Sequence, residues 1–168
     1  MNKIKLYCAG PFSFDYLKDG YYEVANGDYR AILLGNVDKL LNKSRYVKIN
    51  NNVNYIGPFY FESDGMIDRD IVKCEVNMIK KCSDAIFLLD SGCCPGTISE
   101  LILATSLHKN IVIFYIKKSN NEETESTLHS PCWFPIIMSD LCNSNTHIFS
   151  CNSYCDAVSK IIDYVKNM

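Results

Sequence analysis

Ala85-Ile86-Phe87-Leu88-Leu89-Asp90, followed closely by Cys93-Cys94-Pro95-Gly96-Thr97-Ile98-Ser99-Glu100-Leu101, is the stretch that decides the fold. An apolar run ends in a carboxylate, a glycine-bearing turn follows, and a helical pattern opens over residues 98–108. Strand, turn and helix in that order build sites at the carboxyl ends of parallel strands in α/β proteins. Glu100 stands where the helix opens. A carboxylate there can act as a nucleophile or as an acid/base. The same residues also spell a capping box, in which Thr97 accepts from the Glu100 amide and Glu100 reaches back to the Thr97 amide. At this level both readings of Glu100 stay open.

Outward from this stretch, short apolar runs alternate with helical segments. Ile4-Lys5-Leu6-Tyr7-Cys8-Ala9 reads as a first strand ending at Gly10-Pro11. Residues 29–41 carry apolar side chains at helical spacing. A second strand is expected within 46–49 or 55–61, the latter interrupted by Gly57-Pro58. Residues 67–82 read as a helix and 85–90 as the third strand. Ile111-Val112-Ile113-Phe114-Tyr115-Ile116 is continuously apolar, the kind of strand buried on both faces of a parallel sheet. Residues 146–150 form a fifth strand, and 154–165 close the chain as an amphipathic helix.

This alternation predicts a doubly wound α/β fold: a mostly parallel five-stranded sheet, strand order 2-1-3-4-5, in a flavodoxin-like three-layer sandwich. Neither an internal repeat nor a linker is visible, so residues 1–168 read as a single domain. Residues 12–28 and 117–133 read as long loops of the kind that often carry function.

Bulk composition narrows the function classes. The chain has 168 residues, 48% hydrophobic, with 17 basic against 19 acidic side chains. That supports a full core and offers no basic field for nucleic acid. No run reaches the length needed to span a bilayer. Nine cysteines, an odd number with several inside apolar elements, fit reduced thiols in a cytoplasmic protein. Cys151, Cys155 and nearby His147 do not make a closed zinc set, so no metal and no cofactor is expected.

The segment 67–82 holds a second carboxylate. Its apolar stripe collects Ile71, Val72, Met78, Ile79 and Cys82, and Glu75 lies four residues from both Ile71 and Ile79. Either Glu75 snorkels from the edge of that stripe, or it is held on a buried face with a shifted protonation equilibrium. The site candidates then converge at the switch point: Gly10, Pro11 and Phe12 after the first strand, Asp90 after the third, Glu75 and Glu100 from helices. Two or three carboxylates beside aromatics suit glycosyl transfer, where one attacks the sugar carbon and another protonates the leaving group.

Three motifs in order, Tyr7-Cys8-Ala9-Gly10-Pro11-Phe12, then Asp70-Ile71-Val72 leading into Ile79-x-x-Cys82-Ser83-Asp84-Ala85, then Gly96-Thr97-x-x-Glu100-Leu101, resemble the nucleoside 2-deoxyribosyltransferase family, which includes nucleoside and nucleotide N-glycosidases. The resemblance spans about residues 4–116. It implies transfer of a (deoxy)ribosyl group between nucleobases through a covalent glycosyl-Glu100 intermediate. It also implies Glu75 protonating the departing base, Tyr7 orienting Glu100, and Phe12 lining the base pocket. Gly96 and Thr97 fall in the substrate-binding turn. His129 matches a polar residue lent by a neighbouring subunit, so a homo-oligomer is expected. Hydrolysis of a nucleoside or monophosphate, and nucleotide sensing without turnover, are the alternatives. Cys94 replaces an Asp that contacts the sugar, which favours the sensing reading. A redox role for Cys93-Cys94 lacks a resolving partner. Arg30 and Arg69, two of three arginines, are candidates to grip a 5′-phosphate, with surface solubility the favoured alternative.

Overall fold

The computed structural model describes residues 3–11, 14–16, 22–24, 27–40, 46–59, 68–90, 94–117 and 133–168. In chain order the elements are β1 Ile4–Ala9, β2 Phe14–Tyr16, β3 Tyr22–Val24, α1 Tyr29–Leu34, β4 Val47–Lys48, β5 Val53–Gly57 and α2 Asp68–Lys81. There follow β6 Asp84–Leu89, α3 Pro95–Ser106, β7 Asn110–Ile116, α4 Trp133–Cys142, β8 Thr146–Cys151 and α5 Tyr154–Lys166.

The central sheet has the order β4-β5-β1-β6-β7-β8. Every pairing from β5 to β8 is parallel, and only β4 at the edge runs antiparallel. Apart from β4, this is the expected 2-1-3-4-5 order of a doubly wound α/β sandwich. The sheet has six strands rather than five, because a two-residue strand pairs at the edge.

Alternation along the strands assigns each side chain to a layer. Leu6, Cys8, Ile86, Leu88, Val112 and Phe114 pack in one cluster with residues of α1 and α5. Tyr7, Ala9, Phe87, Leu89, Ile111 and Ile113 pack in the other with Ile79 of α2, Leu101 of α3 and Ile136 of α4. Residues 111–115 are all buried, as a strand covered on both faces requires. Tyr7 therefore faces the α2/α3 layer, which is what brings it to Glu100.

Several boundaries differ from the sequence expectation. The helix expected over 29–41 stops at Leu34. Gly35 takes a left-handed φ of 73° and its N–H closes on the Ile32 carbonyl. The expected loop 12–28 carries the hairpin β2–β3. α4 was not anticipated: the expected loop ended at Trp133 and no helix was expected after it, yet a proline in the first turn of a helix, as Pro135 is, forgoes no intrahelical bond. On α2, Val72 is 56% exposed, so it leaves the buried stripe. Of the expected loop 117–133, residues 118–132 lie outside the described residues. Among the described residues no helix is long and apolar enough to cross a membrane.

β5 ends on Gly57, whose φ is 143° and whose position leaves no room for a Cβ against Met78 Sδ. An L side chain is strained at that φ wherever Met78 moves. Gly57→Ala is expected to lower the unfolding free energy by about 2 kcal/mol, read as a fall in urea midpoint at unchanged slope.

Candidate active site

α3 starts three residues earlier than the sequence pattern suggested. Pro95 occupies the first turn and Cys94 is the N-cap, with no side-chain capping bond. Thr97 is thus already helical and buried, and the Thr97–Glu100 capping box does not form. The early start places Glu100 in the second turn. There its Oε1 accepts a 2.5 Å hydrogen bond from the Tyr7 hydroxyl, across 93 residues of sequence.

Glu75 and Glu100 line the same cavity, about 340 Å³ between α2 and α3. Its walls include Val72, Ile79 and Leu103, with Pro95, Gly96 and Ser99 from the first turns of α3. That volume lies at the lower end of small-molecule sites. A larger cavity of about 720 Å³ lies elsewhere, lined by Lys3, Lys5, Asn54, Asn77 and Lys81 among others. Asn54 Oδ1 is buried there without a hydrogen-bond partner. None of the residues lining it is a carboxylate, so size does not mark the reactive centre.

Burial dominates the electrostatics. It pushes Glu100 up from an ordinary 4.5 to about 7. The Tyr7 hydrogen bond and the Arg30 charge pull it down, and the Glu75 carboxylate pushes it up. Glu75 is raised by its own desolvation. Tyr7 is raised well above the phenol range, first by burial and then by the Glu100 charge, so it stays a donor. The two carboxyls form a coupled pair beside one neutral phenol.

Arg30 is neither a surface residue nor placed to grip a phosphate. It is fully buried. Its Nε and Nη2 donate to Asp28 at 2.9 and 2.6 Å, while Nη1 donates to the Gly10 carbonyl at 3.2 Å and Nη2 to the Pro11 carbonyl at 3.0 Å. Asp28 also caps α1 by accepting from the Arg30 amide. The sequence signal for this pair was an Asp directly before a helical pattern, an N-cap signature. Tyr29 adds to the brace, its hydroxyl donating to the Ala9 carbonyl at 2.8 Å. Gly10 is wedged: a Cβ there would stand 3.1 Å from Leu88 Cβ and 3.2 Å from the Tyr29 ring.

The other candidates divide plainly. Asp90 follows the carboxyl end of β6, a central strand, and is half-buried. Cys94 is exposed at the α3 N-cap, and Gly96 lines the cavity. Arg69 is exposed in the first turn of α2 and is not among the residues lining the cavity. Phe12 and His129 lie outside the described residues. Among the described residues no group of three or more His, Cys, Asp or Glu is arranged to hold a metal ion.

Fold and site together define a doubly wound α/β protein with a tyrosine-held carboxylate at its first strand. Among solved structures, the chain is similar to a CMP N-glycosidase, BcmB, of Clostridium botulinum. The TM-score is 0.53 at 15% identity, covering 95% of this chain and 98% of that one. It is also similar to a mutation variant of SsGBP, at a TM-score of 0.51 and 14% identity, covering 99% of this chain and 55% of that one. At such identities the likeness is one of architecture. No family model matches the sequence, and no curated protein matches it.

A carboxyl raised by burial has a sign for stability. The folded state disfavours the ionised form, so its stabilising protonation is complete below about pH 4.5 and is lost as pH rises through about 7. The displacement corresponds to about 3 kcal/mol. Glu100→Gln is therefore expected to be more stable than the parent at pH 8 and similar at pH 4.5, read by chemical denaturation at both values. Equal parent and variant stabilities at pH 8 would contradict the burial of a charge.

Proposed function

We propose that this protein breaks the N-glycosidic bond of a nucleoside or nucleoside monophosphate and passes the sugar to an acceptor. The observation that carries the reading is the hydrogen bond from Tyr7 to Glu100 beside Glu75 in one cavity. A glycosyl transfer by double displacement needs one oriented carboxylate and one carboxylic acid. Likeness in architecture to a CMP N-glycosidase supports the same class of bond.

In this reading a Glu100 carboxylate oxygen attacks the anomeric carbon. The carbon–nitrogen bond breaks, its electron pair goes to the base, and Glu75 delivers a proton to that base. A glycosyl ester on Glu100 remains. In the second half a nucleobase nitrogen or a water oxygen attacks the same carbon, Glu75 takes the acceptor's proton, and Glu100 leaves as carboxylate. Tyr7 fixes which carboxylate oxygen is aimed at the sugar and holds the other by its hydrogen bond. Transfer to a base is the activity expected from the motifs, and water is the alternative acceptor.

The electrostatics set the pH dependence. Activity should fall below about pH 7 as Glu100 takes up a proton.

Chromatography of nucleosides and monophosphates, with and without a free base, tests the proposal. A new nucleoside requires transfer, and free base without acceptor requires hydrolysis. Glu100→Ala is expected to lose at least about a thousandfold in kcat. Tyr7→Phe is expected to lose about 10–100-fold in kcat and to move the acidic limb upward, since a bond favouring the ionised carboxyl is gone. Saturable binding without turnover would replace the enzyme by a nucleotide-sensing module. Equal turnover by Glu100→Ala would remove Glu100 from the chemistry.

A further inference from the structure

We propose that the larger cavity, between α2 and the sheet edge formed by β4, β5 and β1, is a second binding site that takes a small organic phosphate. Lysines hold the phosphate, and the apolar body of the ligand lies on Ile56 and Met78. This cavity shares no lining residue with that of Glu75 and Glu100, so the inference stands whether or not any nucleoside is turned over.

Sheet register assembles the site. Odd-numbered residues of β1 and even-numbered residues of β5 face α2, as Tyr7 and Ile56 do. Lys5 is the register partner of Asn54, and Asn54 is the partner of Lys48 on β4. One row across three strands therefore presents a lysine, an amide and a lysine on the same face. Lys48 is not itself among the lining residues. Lys3 adds a cation two residues before Lys5, roughly 7 Å along the strand. Lys81 adds another from the last turn of α2. Ile56 and Met78 supply an apolar floor beneath these charges, and Tyr46 stands exposed at the rim.

Protein groups do not neutralise this charge. Elsewhere the Lys39 and Lys109 ammonium groups end on backbone carbonyls, and Lys160 and Lys166 pair with Asp156 and Asp163. Among the described residues Lys3, Lys5 and Lys81 have no such partner, and no carboxylate lines the cavity. Asp70, one turn before Cys74 on α2, is not among the lining residues. Like charges gathered on one sheet face repel, and a bound anion removes that cost. A phosphate monoester carries about two negative charges at neutral pH, so it suits three ammonium groups better than a carboxylate does. Asn54 adds a neutral contact. Its Oδ1 is buried without a partner, and its Nδ2 donates to no group among the described residues. An amide left so costs stability, and rotation about its Cβ–Cγ bond offers a bound molecule a donor or an acceptor. A volume of about 720 Å³ falls within the range of small-molecule sites and far exceeds a bare phosphate ion.

The test follows the Met78 methyl group, one of five methionine methyls, by carbon-13 NMR, with its resonance assigned by its loss in Met78→Leu. The probe is naphthyl phosphate. It is expected to shift the Met78 methyl saturably and to bind at least about tenfold more tightly than naphthol, naphthoate or inorganic phosphate. Lys5→Gln with Lys81→Gln changes two exposed side chains, so it should keep the parent's urea midpoint. That double variant is expected to bind naphthyl phosphate about tenfold more weakly and naphthol unchanged. Glu100→Gln is expected to bind the probe as the parent does. No saturable shift of Met78 would overturn the proposal. So would naphthol or naphthoate binding as tightly as naphthyl phosphate, since the first marks an apolar groove alone and the second removes the preference for phosphate. Full affinity in the lysine double variant would overturn it, as would loss of affinity in Glu100→Gln, which would put the probe in the other cavity.

Discussion

The hydrogen bond from Tyr7 to Glu100 is the constraint on which the site depends. It joins the middle of the first strand to the second turn of α3, and so fixes the depth at which a carboxylate is held in a mostly apolar cavity. A phenol donating to an ionised carboxylate makes a charge-assisted hydrogen bond. Without it, burial would favour the protonated acid further. Orientation and ionisation are thus served by one donor, and its burial keeps that donor from losing its own proton.

Placement of the pair follows from the sheet. Odd-numbered residues of β1 face α2 and α3, and even-numbered ones face α1 and α5. Tyr7 on the first face reaches Glu100; Cys8 on the second feels the Arg30 and Asp28 charges. The two layers are therefore chemically distinct at the same level of the sheet. The cavity lined by Glu75 and Glu100 opens on one side, and a closed ion pair braces the backbone on the other. Tyr154 extends the brace to the C-terminal helix: its hydroxyl accepts from the Tyr29 amide and donates to the Gly27 carbonyl.

How much of this was legible depends on the kind of signal. Core strands followed from continuous apolar runs, since a strand buried on both faces cannot hide its composition; their order came from analogy with flavodoxin-like sheets. The two-residue β4 and the β2–β3 hairpin are too short to show periodicity. α4 was masked by Pro135, which punctuates a pattern unless it falls in the first turn. Glu75 was visible because a carboxylate interrupts a helical stripe. The Thr97–Glu100 spacing was misleading locally: Pro95 had already started the helix, so the same residues fell one turn deeper. Arg30 was misread because exposure is the default for a lone arginine, and nothing in periodicity announces a buried fork. The meeting of Tyr7 with Glu100 was expected only through the family resemblance, because a contact across 93 residues leaves no local trace.

Central to this account is a covalent bond between Glu100 and the sugar. The stereochemistry of the product tests it most directly. With methanol as acceptor, the product is a methyl glycoside, an acetal that does not mutarotate, so its anomeric configuration can be read by NMR. Two displacements at one carbon predict the configuration of the starting nucleoside. The inverted glycoside would mean a single displacement by the acceptor, and would contradict a glycosyl-Glu100 intermediate.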